Sequence, residues 1–186
     1  MGLAFGVFTR NYMTAAKAYQ SLREEQTALI PDIVARGESS RVEFKSSVRW
    51  DMQENRINRG LEKVIAKTIA GFFNADGGYL VIGVDDDGQA LGLDKDLSTL
   101  RKPDLDSFER TLNDIVTKML GGDLCPYIHT VFGNMDGKDV AMVIIRPAPR
   151  ATYMTDNNAA VFYVRSGNST RQLDVKEALT YASKRW

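Results

Sequence analysis

Apolar and polar residues alternate from Arg41 to Lys45, with Val42 and Phe44 on one side and Glu43 and Lys45 on the other, as a half-buried strand requires. The period then changes. From Gly60 to Ala75, the residues Leu61, Val64, Ile65, Thr68, Ile69, Phe72 and Phe73 recur three and four apart, which predicts a helix lying on a sheet. Asn74 to Gly78 ends it, the glycines supplying positive φ for a tight reversal. Tyr79 to Val84 is apolar nearly throughout and reads as a central strand. Asp87-Gly88 signals a hairpin turn into a short strand, Gln89 to Leu93.

Pro103 to Leu120 is a second amphipathic helix, with Leu105, Phe108, Leu112, Ile115, Val116 and Met119 on one face and Gly121-Gly122 closing it. Ile128 to Met135 and Asp139 to Arg146 flank a turn at Asp136-Gly137-Lys138 and read as a hairpin, with Ala160 to Arg165 as one more strand. Asp174 caps a last helix running toward Trp186. The fold class is α+β: a mixed, mostly antiparallel sheet with packed helices. Thr9 to Ile30 is rich in helix formers, but its apolar positions make a ragged stripe that the Pro31-Asp32 pair interrupts. Residues 1–36 are therefore read as an N-terminal helical extension, a linker or an oligomerising arm, and residues 37–186 as the body.

A length of 186 residues suits one such body, with the chain open to being part of something larger. Twenty-four basic residues balance twenty-four acidic ones, so phosphate binding has to come from a local patch rather than from bulk charge. With one cysteine and one histidine, neither an intrachain disulfide nor a four-ligand Cys/His zinc site exists. Any metal sits among oxygens. Cys125, beside Pro126, reads as buried, and His129, among apolar neighbours, as structural. The apolar opening Met1–Phe8 is too short to span a bilayer, and a soluble, cytoplasmic protein is expected. Neither a conventional phosphate loop nor a dinucleotide fingerprint occurs.

What remains for chemistry is a set of carboxylates flanking apolar strands: Glu38, Glu43, and Asp85, Asp86 and Asp87 after the central strand. Three acids converging at a strand edge are suited to Mg²⁺ or Mn²⁺, which would polarise a phosphoryl group. Asp86 competes with Asp85 for the third place. Lys45 shares the face of Glu43 and is placed to steady developing negative charge on a phosphate. The same residues also fit a plainer description, a solvated acidic turn and an exposed ion pair.

Basic residues supply a second theme. Lys45, Arg49, Arg56, Arg59, Lys63 and Lys67 gather around the first strand and helix with Trp50 among them, and Arg165 and Arg171 bracket Ser166-Gly167-Asn168-Ser169-Thr170. Arginines interleaved with an aromatic suit backbone phosphates and stacked bases. Lys63 and Lys67, four apart, equally suit the solvated face of a helix, and Ser166 to Ser169 a plain turn.

Taken together, Glu38 with Glu43-Phe44-Lys45, the run from Ile69 to Gly88, Gly92-Leu93, and Phe162 to Thr170 resemble the Schlafen AlbA-like domain family, described in bacteria as a DNA-binding domain and once as a divergent ATPase. The resemblance covers Glu38 to about Thr170, so that residues 37–186 form the family domain. It implies a metal-dependent endoribonuclease acting on structured RNA such as tRNA, with Glu38, Glu43 and Asp85 at the positions of the family's acidic triad. In that reading these acids hold Mg²⁺ or Mn²⁺, Lys45 assists, and Lys45, Arg49, Arg56, Arg59, Lys63, Arg165 and Arg171 contact nucleic acid. Animal members join two such domains around RNA, and a lone domain implies a homodimer. The alternatives are a non-catalytic nucleic-acid-binding or regulatory module, for DNA or RNA, and, further off, a nucleotide-binding domain.

Overall fold

The computed structural model describes residues 2–157 and 159–186. In chain order, α1 (Gly2–Ala35) leads into β1 (Val42–Lys45), a small hairpin of β2 (Trp50–Asp51) and β3 (Arg56–Ile57), then α2 (Gly60–Phe73) and β4 (Gly78–Ile82). A short α3 (Asp94–Ser98), α4 (Leu105–Met119) and a 3-10 turn (Gly122–Tyr127) follow. The hairpin of β5 (Ile128–Met135) and β6 (Lys138–Ile145) precedes β7 (Tyr153–Asp156), β8 (Ala159–Ser166), β9 (Ser169–Leu173) and the closing α5 (Val175–Arg185). Met1, where the expected extension begins, lies outside the described residues.

The α+β class holds, with the strands divided among three sheets. The main sheet has the order β1-β4-β6-β5, in which only β1 and β4 run parallel; β7-β8-β9 form a second, antiparallel sheet, and β2-β3 a small ribbon. The alternation along β4 explains its unbroken apolar run. Leu80 and Ile82 enter one core with Ile65, Ile69 and Phe73 of α2 and Phe108, Leu112 and Val116 of α4. Val81 enters the other, with Val42, Phe44, Val131 and Met142, and with Ile30 and Val34 of α1. Each such side chain contributes about 1.5–3 kcal/mol by leaving water.

The α2–β4 reversal needs its glycines. A Cβ on Gly77, whose φ is +72°, would collide with the Ile145 carbonyl, and one on Gly78 with the Arg41 carbonyl and the Phe72 ring. The β7–β8–β9 sheet packs across α2 in steps of one helical turn: Lys63 pairs with Asp156 of β7, Lys67 lies over the Tyr163 ring of β8, and Gly71 touches Thr170 of β9. Burial raises the Tyr163 hydroxyl above its usual pKa, with Asp156 adding to the effect. Phe162, Val164, Leu173, Ala178 and Tyr181 close the opposite side of that sheet against α5.

Four features differ from the expectations above. α1 continues through Pro31 to Ala35, because Ile30 and Val34 on either side of the proline are buried against the main sheet. Gln89 to Leu93 forms no strand, only a bridge between Val84 and Ala90; Leu91 and Gly92 both donate their N–H to the Gly83 carbonyl, and the chain turns away. His129, at the start of the edge strand β5, is exposed. Cys125 is half-buried, its sulfur 3.3 Å from the Thr117 hydroxyl.

The expected cap at Asp174 appears, and the structure adds a second at Asp104. Asp174 and Glu177 form a reciprocal capping box on α5. Asp104 caps α4 by accepting from the Ser107 N–H at 2.9 Å, and Lys102 also binds its carboxyl. Lys102 first, and Ser107 after it, lower the Asp104 pKa from 3.8 to about 2. Because the folded value is the lower one, this contribution is complete above the unfolded pKa and is lost as pH falls through the folded one. In thermal melts between about pH 5 and pH 2, the advantage of the wild type over Asp104→Asn is expected to shrink toward zero. An advantage that stays constant over that window would contradict the assignment.

Candidate functional site

β1 carries the acids and its neighbours decide their geometry. In the parallel register Glu43 lies opposite Leu80 and Lys45 opposite Ile82. Glu43 and Lys45 share a face as expected, and the Lys45 ammonium donates to Glu43 Oε1 at 2.6 Å. Arg165, at the end of β8, donates to Glu43 Oε2 at 2.5 Å, to the Ser39 carbonyl at 2.6 Å and to the Val42 carbonyl at 3.1 Å. Its side chain is 2% exposed, and the guanidinium lies 5.0 Å from the centre of the Phe72 ring. Both oxygens of Glu43 are thus engaged, and Arg165 is a buried counter-ion that ties β8 to β1.

The other two acids are also occupied. Glu38 Oε1 accepts the Phe44 N–H at 2.8 Å. Asp85 Oδ1 accepts the N–H groups of Asp87 and Gln89, which closes the turn after β4. Among the described residues, no group of three or more His, Cys, Asp or Glu side chains is arranged to hold a metal ion. Glu38 and Asp85 are thus each engaged through one carboxyl oxygen, and Glu43 through both.

Beyond β1 the chain turns through Ser46 to Arg49 on a carboxylate that sequence reasoning missed. Asp96 of α3 is buried and accepts from the Ser47 hydroxyl and from the Val48 and Arg49 N–H groups, at 2.7 to 3.0 Å. Ser47 in turn accepts from the Trp50 N–H at 2.6 Å. No sequence motif marks Asp96, since its partners lie 47 to 49 residues away.

The turn supported in this way borders a cleft of about 330 Å³, lined by Lys45, Ser46, Trp50, Gln53, Leu61 and Asp86 among others. Among the described residues the buried Trp50 indole N–H has no hydrogen-bond partner, and the Lys95 ammonium lies 5.2 Å from the ring centre. Arg56 faces Asp51, a lining residue, across the β2–β3 ribbon, and Arg59 precedes the turn of α2 that supplies Leu61. Asp51 itself holds the ribbon's loop: the Glu54 N–H and the Asn58 amide keep its carboxyl below the usual carboxylate range. Of these cations Lys45 lines the cleft and Lys95 lies over its Trp50 ring, while Arg56 and Arg59 follow on the ribbon and at the start of α2.

Of the remaining predicted cations, two are held by acids. Arg49 pairs with Glu62 at 2.9 Å, both largely buried, and Lys63 pairs with Asp156 at 2.5 Å. Arg56 is exposed, 3.8 Å from an equally exposed Glu54. Arg59 and Arg171 are exposed and form no side-chain hydrogen bond or ion pair among the described residues.

The family sequence model described as Schlafen, AlbA_2 matches residues 38–174, most of the chain. The chain belongs to the Schlafen AlbA_2 family. The matched segment runs from Glu38 to the Asp174 cap, so the domain holds the Glu43–Arg165 pair, the cleft and the Asn74 junction of α2, while α1 precedes the match and α5 follows it. Among solved structures, the DIP2311 protein from Corynebacterium diphtheriae is similar with a TM-score of 0.55 and 21% identity over 86% of this chain. This chain spans 28% of the length of that one, and the likeness is one of fold. The solution structure of the N-terminal domain of an ATP-dependent DNA helicase RecG-related protein from Nitrosomonas europaea matches 80% of this Schlafen AlbA_2 chain and 92% of its own, at 24% identity and a TM-score of 0.48.

Proposed function

We propose that this Schlafen AlbA_2 domain binds nucleic acid at the cleft beyond β1, taking an unstacked nucleotide of a single strand or loop. The observation that carries the reading is the joining of Trp50, its indole N–H unsatisfied among the described residues, with Lys45 in the cleft lining and Lys95 over the indole ring; exposed Arg56 and Arg59, nearby in the sequence, are further phosphate contacts in this reading. An aromatic ring offers a stacking surface to any base, and the cations meet the backbone phosphates on either side. A base or sugar acceptor would supply the partner that the indole lacks. Exposed Arg171 is a further phosphate contact in this reading. Structured RNA with accessible loops, such as tRNA, is the preferred ligand, with single-stranded DNA the alternative.

The endoribonuclease reading adds Mg²⁺ or Mn²⁺ on Glu38, Glu43 and Asp85. An ion held there would have to draw Glu43 away from Lys45 or Arg165, which engage both of its carboxyl oxygens.

Both readings are tested together. Binding of labelled tRNA, single-stranded DNA and duplex DNA is followed by fluorescence anisotropy against salt, for the wild type and for Arg56→Ala with Arg59→Ala. Removing two phosphate contacts is expected to weaken binding and to reduce the slope of log K against log salt by about 2. A slope unchanged by the double substitution, or no binding at low salt, would sink the proposal. Cleavage assays of the same tRNA in Mn²⁺, Mg²⁺ and EDTA decide the nuclease reading, which requires metal-dependent cleavage that Asp85→Asn abolishes in a folded protein.

A further inference from the structure

α1 spans 34 residues, about 51 Å at 1.5 Å per residue, yet its C-terminal end supplies its packing on the main sheet. Thr27 donates its hydroxyl to the Phe132 carbonyl, Ile30 and Val34 are buried, and Ile30 and Thr27 crowd Gly133 of β5. An adjacent face is left uncovered: Leu22 is 52% exposed and Leu29 46%. Leu22, Gln26, Leu29 and Ile33 are spaced four, three and four apart. The same alternation runs back through the sequence to Tyr19, Ala15, Tyr12, Phe8 and Phe5, leaving Gln26 the one amide in the series. A mean step of 3.5 residues is the coiled-coil repeat, which looks ragged only when measured against 3.6. The seam is centred roughly 100° around the helix from the face made by Thr27, Ile30 and Val34; its last member, Ile33, packs partly against the main-sheet core, while Leu22 and Leu29 stay exposed.

We propose that α1 is a dimerisation arm, the heptad series that the sequence carries from Phe5 to Leu29 pairing as a parallel, in-register coiled coil with the same series of a second copy. A helix of this length draws most of its stability in water from packing of an apolar face, because propensity alone barely offsets nucleation. A partner helix supplies the missing apolar contacts. Aromatic residues bury about 150–250 Å² each, so two seams of this composition reach the roughly 1,200 Å² at which stable interfaces begin. Gln26 identifies the occupant as a second copy in parallel. In register, each Gln26 amide meets the other and the two hydrogen-bond. In an antiparallel pair, Gln26 would instead face Phe8, Ala15, Leu22 or Leu29, with its amide unsatisfied.

Sedimentation equilibrium of the full chain at micromolar concentration is expected to return twice the 20.7 kDa chain mass. Leu22→Glu with Leu29→Glu should halve it, while leaving the thermal melt of the body cooperative; Lys17→Glu, away from the seam, should leave the dimer intact. In a Cys125→Ser background, Leu22→Cys should cross-link under mild oxidation, and Ala28→Cys, off the seam, should not. A monomeric wild type, or a dimer that survives the double glutamate substitution, would overturn the proposal. A dimer that fails to cross-link through Leu22→Cys would overturn the parallel register.

Discussion

Arg165→Ala is expected to destabilise the protein by about 3–5 kcal/mol, measured as a shift of the urea midpoint at unchanged slope. The guanidinium is 2% exposed and makes three charge-assisted bonds, to Glu43, Ser39 and Val42. Removing it leaves the Glu43 carboxylate with Lys45 alone in dry surroundings and takes one of two donors from each of the Ser39 and Val42 carbonyls, which keep each other's backbone N–H. Arg165→Lys should recover little, since one ammonium cannot span three acceptors set around a planar fork. The prediction also separates two roles for this residue. A phosphate contact would lose affinity with stability intact, whereas a structural tie loses stability first; unchanged stability with weakened tRNA binding would return Arg165 to the interface.

Asn74→Ala should cost a comparable amount, about 3–5 kcal/mol, by chemical denaturation. Asn74 is fully buried at the end of α2; its amide donates to the Thr152 carbonyl at 2.7 Å and the Tyr163 carbonyl at 2.8 Å, and its oxygen accepts the Thr152 N–H at 2.8 Å. One side chain thus satisfies three backbone groups just before β7 and within β8, and alanine orphans all three. Asn74→Asp should be no better. A carboxylate keeps the acceptor but loses both donors, and it places a charge where no cation faces it. A cost below about 1 kcal/mol would mean that water enters and takes over these bonds, and that the junction between α2 and the second sheet is looser than its geometry implies.

Much of this fold was legible along the chain because the signals are local. Alternation over Arg41 to Lys45 and the apolar run over Tyr79 to Val84 reflect which face each strand buries, and Asp174 caps the helix that begins at the next residue. The Glu43–Lys45 pair belongs to the same class, two residues apart on one strand face. Partners distant in sequence left no such trace. Arg165 looked like a surface cation beside a polar turn, and only the packing of β8 over Phe72 brings it to Glu43, 122 residues away. Lys63 and Arg49 lost their candidacy as free charges in the same way, to Asp156 and Glu62.

The length of α1 shows both levels at once. A proline removes one N–H and crowds the preceding turn, so local chemistry places a break at Pro31. Burial of Ile30 and Val34 against the main sheet outweighs that penalty and carries the helix through. Amino-acid order settles what a residue prefers within about one helical turn or one strand. Which acid neutralises which cation, and which carboxylates converge, follows from how the sheets and helices pack. Ion pairing and desolvation depend on distance in space, and the periodicity of one segment carries no information about the charge of another.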